Sequence, residues 1–123
     1  MKPILCLDFD GVLHSYTSKW QGADVIPDAS VPGAALFVAE AQQLFTVAVY
    51  SSRTHQSGGL DAMKRWLHKV IIEADLDGSV FDEIEWPSEK PPALVTLDDR
   101  AVTFTGVWPE VTELRAFKPW NKK

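Results

Sequence analysis

An α/β fold is predicted for this chain, with a parallel sheet layered between helices. Two observations carry the prediction. Three short apolar runs, Ile4–Leu7, Val47–Tyr50 and Leu94–Leu97, are separated by long intervals and each ends in polar residues. Such runs read as buried strands. Between them lie segments of helical periodicity without an internal repeat, the alternation expected of a parallel sheet.

The elements follow in order. Ile4–Asp8 is the first strand, opened by Pro3 and closed by the Asp10-Gly11 turn. Val12 to Ser30 reads as a loop or short hairpin rich in Ser, Gly and Asp. Pro32 leads a helix over Ala34–Gln43, and Phe45–Tyr50 is the second strand. Ser57-Gly58-Gly59 breaks the chain. Leu60, Met63, Leu67, Val70, Ile71 and Ala74 then recur at helical spacing, opposite Lys64, Arg65, His68 and Glu73. Asp77-Gly78 is a turn, followed by an extended piece at Val80–Glu85. Leu94–Leu97 and Ala101–Thr105 read as two further strands, Pro109–Phe117 as a last helix and Lys118–Lys123 as a polar tail.

The 123 residues suit one domain, 1–123, with its own core, and 46% hydrophobic content indicates a globular chain. No apolar stretch has the length of a membrane span, and Met1-Lys2-Pro3 runs straight into a strand, so neither a membrane partner nor a leader is expected. Cys6, the single cysteine, is expected to be a core thiol in a reducing, cytoplasmic compartment. The net charge is −5, and Asp8, Asp10, Asp98 and Asp99 account for all but one unit of it. That balance disfavours a broad basic nucleic-acid platform, while leaving room for one phosphorylated end to dock locally.

Ligands of open parallel sheets sit beyond the carboxyl ends of the strands, where these runs finish in Asp8-Phe9-Asp10-Gly11, Ser51-Ser52-Arg53 and Asp98-Asp99-Arg100. Asp8 and Asp10, two apart, can aim into one crevice. A carboxylate can attack phosphorus to form an aspartyl-phosphate, and a second carboxyl can serve as acid and then base. Gly11 permits a sharp turn and close approach of backbone to phosphate. Anionic groups facing an anionic substrate call for cations. Asp8 and Asp98 offer hard oxygens suited to Mg²⁺, Lys90 can add a positive charge, and Ser51 offers a hydroxyl. Arg53 and Arg100 either grip substrate phosphate as guanidinium forks or form salt bridges within the acidic cluster. His14 either touches substrate or is a solvated loop residue. Trp20 sits in the loop overhanging the site, and Trp66, Trp86, Trp108 and Trp120 read as packing residues.

Together these segments resemble the haloacid dehalogenase-like (HAD) hydrolase superfamily, in its phosphatase branch. Four family motifs occur in order: Asp8-Phe9-Asp10-Gly11, Ser51 (with Ser52 as the alternative), Lys90, and Asp98-Asp99. The resemblance implies a Rossmann-like parallel sheet flanked by helices. It also implies Asp8 as nucleophile, Asp10 as general acid/base, Ser51 and Lys90 in the catalytic set, and Gly11, Ser52 and Arg53 toward the substrate. Mg²⁺ would be held by Asp8, the Asp10 carbonyl and Asp98, with Asp99 assisting. About forty residues separate Asp10 from Ser51, too few for a sizeable cap, so an open site is expected. Its substrate would be a phosphorylated small molecule or nucleic-acid end, and a homodimer would be compatible with such openness. A non-catalytic module that kept the fold and metal site is the rival expectation, and a phosphotransferase the third.

Overall fold

Ile4-Leu5-Cys6-Leu7 has no polar interruption, as a strand covered on both faces requires, and it becomes the central strand β1 (Ile4–Leu7). The computed structural model describes residues 1–122. After β1 come α1 (Ala34–Ala41), β2 (Thr46–Val49), α2 (Gly59–Glu73), the single-turn α3 (Ser79–Asp82), β3 (Val95–Leu97), α4 (Val111–Arg115) and a 3₁₀ turn at Trp120–Lys122.

The sheet has the order β2-β1-β3 and both pairings are parallel. Leu7 stands level with Val49 on one side and Leu97 on the other. The ladder continues one step, with Asp8 N–H donating to Leu97 O (3.0 Å) and Tyr50 N–H to Leu7 O (3.2 Å). All three strands therefore finish at one level, where their polar termini meet. Flanked by helices, this small parallel sheet is compatible with a Rossmann-like fold.

Leu5, Leu7, Val47 and Val49 share one face by strand alternation and pack with Val38 of α1 and Met63, Leu67 and Ile71 of α2. The α2 residues recur at four-residue steps, so one stripe of the helix meets the sheet. Burying each such side chain contributes about 1.5–3 kcal/mol. Cys6 is buried, as expected of a core thiol. No helix is long and apolar enough to cross a membrane among the described residues.

Several expectations require correction. Val80–Glu85 is not a strand: Asp77 Oδ1 accepts the Ser79 N–H (2.8 Å), which starts the turn of α3. Only Glu85 keeps strand character, in an isolated bridge to Ala48. Ala101–Thr105 is irregular, because Asp98 Oδ1 accepts the Arg100 N–H (2.8 Å) and turns the chain after β3. Trp108 is 84% exposed rather than packed. α1 is capped by Gly33 at φ 84°, with Pro32 leading the helix from just before the cap, as expected. The polar tail folds into the 3₁₀ turn, and Lys123 lies outside the described residues.

Candidate active site

The strand ends bring Asp8, Ser51 and Asp98 together. Oxygens of Asp8, Asp98 and Asp99 all lie within 4.8 Å of one another. Two recesses open on either side of Asp8. One, of about 210 Å³, is lined by Asp8, Asp10, Tyr16, Ser51, Ser52, Asp99 and Arg100. The other, about 230 Å³, is lined by Asp8, Cys6, Tyr50, Ser51, Ser52, Lys90, Thr96 and Asp98. Both serines thus face both recesses. The Ser51 Oγ accepts the Arg53 N–H (3.1 Å), and the Ser51 N–H donates to Thr54 Oγ1 (3.2 Å), so the turn after β2 is internally bonded. A larger cavity of about 610 Å³ lies between residues 26–36 and α2, with Asp28, Lys69 and Glu73 as its charged groups. It shares no lining residue with the two recesses at Asp8 and brings no comparable set of reactive side chains together.

Electrostatics divides the carboxyls. Burial, reinforced by the charges of Asp98 and Asp99, pushes the Asp8 carboxyl up to about 7. Asp99 is raised as well, first by burial and then by Asp98. Crowded carboxyls without a cation cannot all ionise freely. Hard oxygen donors at this spacing fit Mg²⁺, and a divalent cation would relieve the repulsion that raises them.

Asp10 is the opposite case. Its Oδ2 accepts from Arg53 Nε (2.9 Å), and its Oδ1 from Arg53 Nη2 (3.1 Å) and His14 Nδ1 (2.9 Å). The Asp28 N–H donates to His14 Nε2 (3.1 Å), which leaves Nδ1 as the protonated nitrogen of a neutral ring. Burial alone would raise the Asp10 carboxyl. The hydrogen bonds from His14 and Arg53, with the Arg53 charge, outweigh it and hold Asp10 below the usual carboxylate range. Its side chain lines the recess shared with Asp8 and Asp99 but is not one of the three carboxylates at metal-binding spacing, so the ligand expected from Asp10 stays its backbone carbonyl.

Three sequence-based roles change with this geometry. Arg53 is wholly buried, and its Nη1 donates to the carbonyls of Gly22 (2.9 Å), Ala23 (2.8 Å) and Val25 (3.2 Å). It clamps a loop and Asp10 rather than a substrate, and Trp20 stacks over its guanidinium at 4.6 Å. His14 is also wholly buried, not solvated. Gly11 has φ 82°, and any Cβ there would overlap the Asp99 carboxylate. Its N–H donates to His14 O (2.7 Å) and its carbonyl accepts from Trp120 Nε1 (2.7 Å), so neither is free to cradle phosphate. Arg100 is the more exposed arginine, reaching Asp99 at 3.9 Å. Lys90 is exposed on the rim of the second recess.

Of the His14–Asp10–Arg53 network, the Arg53 salt bridge to the acidic cluster was one of two readings of the sequence, and it holds at Asp10, whereas His14 and the three loop carbonyls were missed. Comparison with family models, characterised proteins and solved structures returned no match.

Proposed function

We propose that this chain is a Mg²⁺-dependent phosphatase of the HAD-like superfamily, acting on a phosphomonoester through an aspartyl-phosphate on Asp8. The observation that supports it best is the meeting of Asp8, Ser51, Asp98 and Asp99 at the carboxyl ends of three parallel strands, with the carboxylates at metal-binding spacing. We read the sheet accordingly as the HAD-like three-layer core without a sizeable cap.

Asp8 and Asp98, with the Asp10 carbonyl, would hold the ion, and Asp99 would steady them. When bound, Mg²⁺ supplies positive charge that ionises Asp8 and offsets the phosphate's own. The Asp8 carboxylate attacks phosphorus while the bond to the leaving oxygen breaks. Asp10 gives that oxygen its proton, which it carries once a phosphate anion nearby opposes the pull of Arg53. Water then attacks the aspartyl-phosphate and passes a proton to Asp10, and Asp8 is released with inorganic phosphate. The Ser51 and Ser52 hydroxyls donate to phosphate oxygens, and Lys90 balances charge from the other recess. Recesses this small hold the phosphoryl group and leave the rest of the substrate outside, which suits either a small molecule or a nucleic-acid end.

A second reading draws on Asp10. A carboxylate held by three donors is poorly suited to carrying the proton a general acid must deliver, which favours a regulatory module that binds Mg²⁺ or phosphate without turnover. One experiment separates the two. Phosphate release is followed from a phosphoester panel that includes 3′- and 5′-phosphorylated oligonucleotides, with and without Mg²⁺, beside Asp8→Asn. Mg²⁺-dependent release lost in the variant, with a beryllium fluoride adduct on Asp8, supports the enzyme. Mg²⁺ binding without release on any substrate sinks it in favour of the module.

A further inference from the structure

Within the predicted polar tail, residues 120–122 fold back onto the protein. Three consecutive residues each touch the loop that follows Asp10. Trp120 Nε1 donates to the Gly11 carbonyl at 2.7 Å. Asn121 Nδ2 donates to the Ser15 carbonyl at 3.1 Å. The Lys122 ammonium lies 5.4 Å from the centre of the Tyr16 ring, within cation–π range. The three ties converge on six residues of one loop, Gly11–Tyr16.

The loop needs outside support. Gly11 at φ 82° and Tyr16 at φ 61° both occupy the left-handed region, and for tyrosine that conformation persists only where its surroundings enforce it. The Gly11 backbone sits against the Asp99 carboxylate, and Tyr16 forms one wall of the recess containing Asp8 and Asp10. Whatever fixes Gly11 therefore fixes the separation between the first and last acidic segments. Trp120 is 51% exposed. With half of its surface buried, Trp120 contributes both apolar contact and its one N–H, and the two are separable by substitution. The Asn121 Oδ1 is buried with no partner among the described residues, a cost that the donated bonds must outweigh.

We propose that Pro119–Lys122 is a strap that pins the Gly11–Tyr16 loop, with Trp120 as a positioning residue for the acidic site through the Gly11 carbonyl. The pinning comes from residues 120–122, which follow Asp10 by more than a hundred positions. The kinetic consequence rests on the phosphatase reading, and the anchoring itself does not.

The test compares Trp120→Phe, which keeps the ring and loses the donor, with Trp120→His, which keeps a ring N–H and loses apolar area. Hydrogen exchange of the amides at 11–15 is read beside those of α2. Turnover of a Mg²⁺-activated phosphoester is read as kcat and KM. Trp120→Phe is expected to speed exchange at 11–15 by about tenfold or more with α2 unchanged, and to lower kcat by about tenfold with KM within about twofold. Trp120→His recovers part of both losses. Simple packing predicts the reverse order, with Phe near wild type and His worse, and that outcome overturns the proposal. Should either variant fail to fold, Asn121→Ala removes the neighbouring bond and is expected to loosen the same amides by a smaller factor. Unchanged exchange there overturns it equally. Wild-type protein without turnover, combined with loosened exchange, ends the phosphatase reading and leaves the strap standing. Active wild type with unchanged exchange does the opposite.

Discussion

Asp8 and Asp10 are two residues apart and sit in opposite electrostatic settings. Asp8 shares a crowded acidic corner and is pushed up to about 7, first by burial and then by the charges of Asp98 and Asp99. Asp10 is partly buried too, yet its carboxyl is lowered, because Arg53 and His14 supply three hydrogen bonds. One carboxylate is compensated from within the fold, and the other is crowded by its acidic neighbours. Burial alone thus says little about a carboxyl group's charge; the donors that accompany it decide.

The comparison breaks most severely at Arg53. Arg53→Met strands Asp10 and three loop carbonyls, and a loss of about 3–5 kcal/mol is expected in denaturant unfolding. Combining it with Asp10→Leu, which removes the uncompensated charge, should restore more than half. A single-variant loss below about 1 kcal/mol would show that the clamp is an ornament of a loop held by other contacts.

Mg²⁺ tests the other carboxyl. At a concentration near a hundred times its Kd, it should raise unfolding stability by about 2.7 kcal/mol at neutral pH. Asp8→Asn should remove most of that gain while Arg53 variants keep it. Equal stabilisation of wild type and Asp8→Asn would place the ion elsewhere.

The two carboxyls also pull stability in opposite directions with pH. Asp8 holds its proton more tightly folded than unfolded, so its contribution is full below the ordinary value of 3.8 and declines as pH rises through about 7. Asp10 is lowered, so its contribution is present above that ordinary value and disappears as pH falls through its folded value. Without Mg²⁺, Asp8→Asn should flatten the decline between pH 4 and 7 and gain about 1–2 kcal/mol at pH 7.5. A wild-type profile that rises across this window would contradict the raised Asp8. The smallest effect belongs to Lys90→Met. Lys90 is exposed, so stability should change by no more than about 0.5 kcal/mol, while phosphate release falls by about tenfold or more. Undiminished release would remove Lys90 from the catalytic set.

The sheet was legible from Ile4–Leu7 and Val47–Val49 because a run buried on both faces leaves an unbroken apolar signature, and from Val95–Leu97, half-exposed at the sheet edge, by its β-branched and apolar residues before Asp98. The acidic corner was legible for the same reason, since strand ends announce where polar residues gather. Arg53 was not. Nothing in Ser51-Ser52-Arg53 distinguishes a guanidinium reaching solvent from one reaching back to Gly22, Ala23 and Val25, because carbonyl acceptors leave no mark in a sequence. His14 hid similarly among Ser15, Tyr16 and Thr17, in a segment whose composition reads as wet. Val80–Glu85 misled because Val80, Phe81 and Ile84 do pack against the core, from a helical turn set by one Asp77 hydrogen bond rather than from a strand.

The Arg53 clamp also has a place in the order of synthesis. A ribosome delivers Asp10 and residues 22–25 before Arg53, which follows Asp10 by 43 positions. Until β2 and the turn after it have been made, the nascent chain carries Asp10 as an ordinary titrating acid on a loop with no guanidinium to gather its carbonyls. The carboxylate acquires its partner, and the loop its clamp, in the same event.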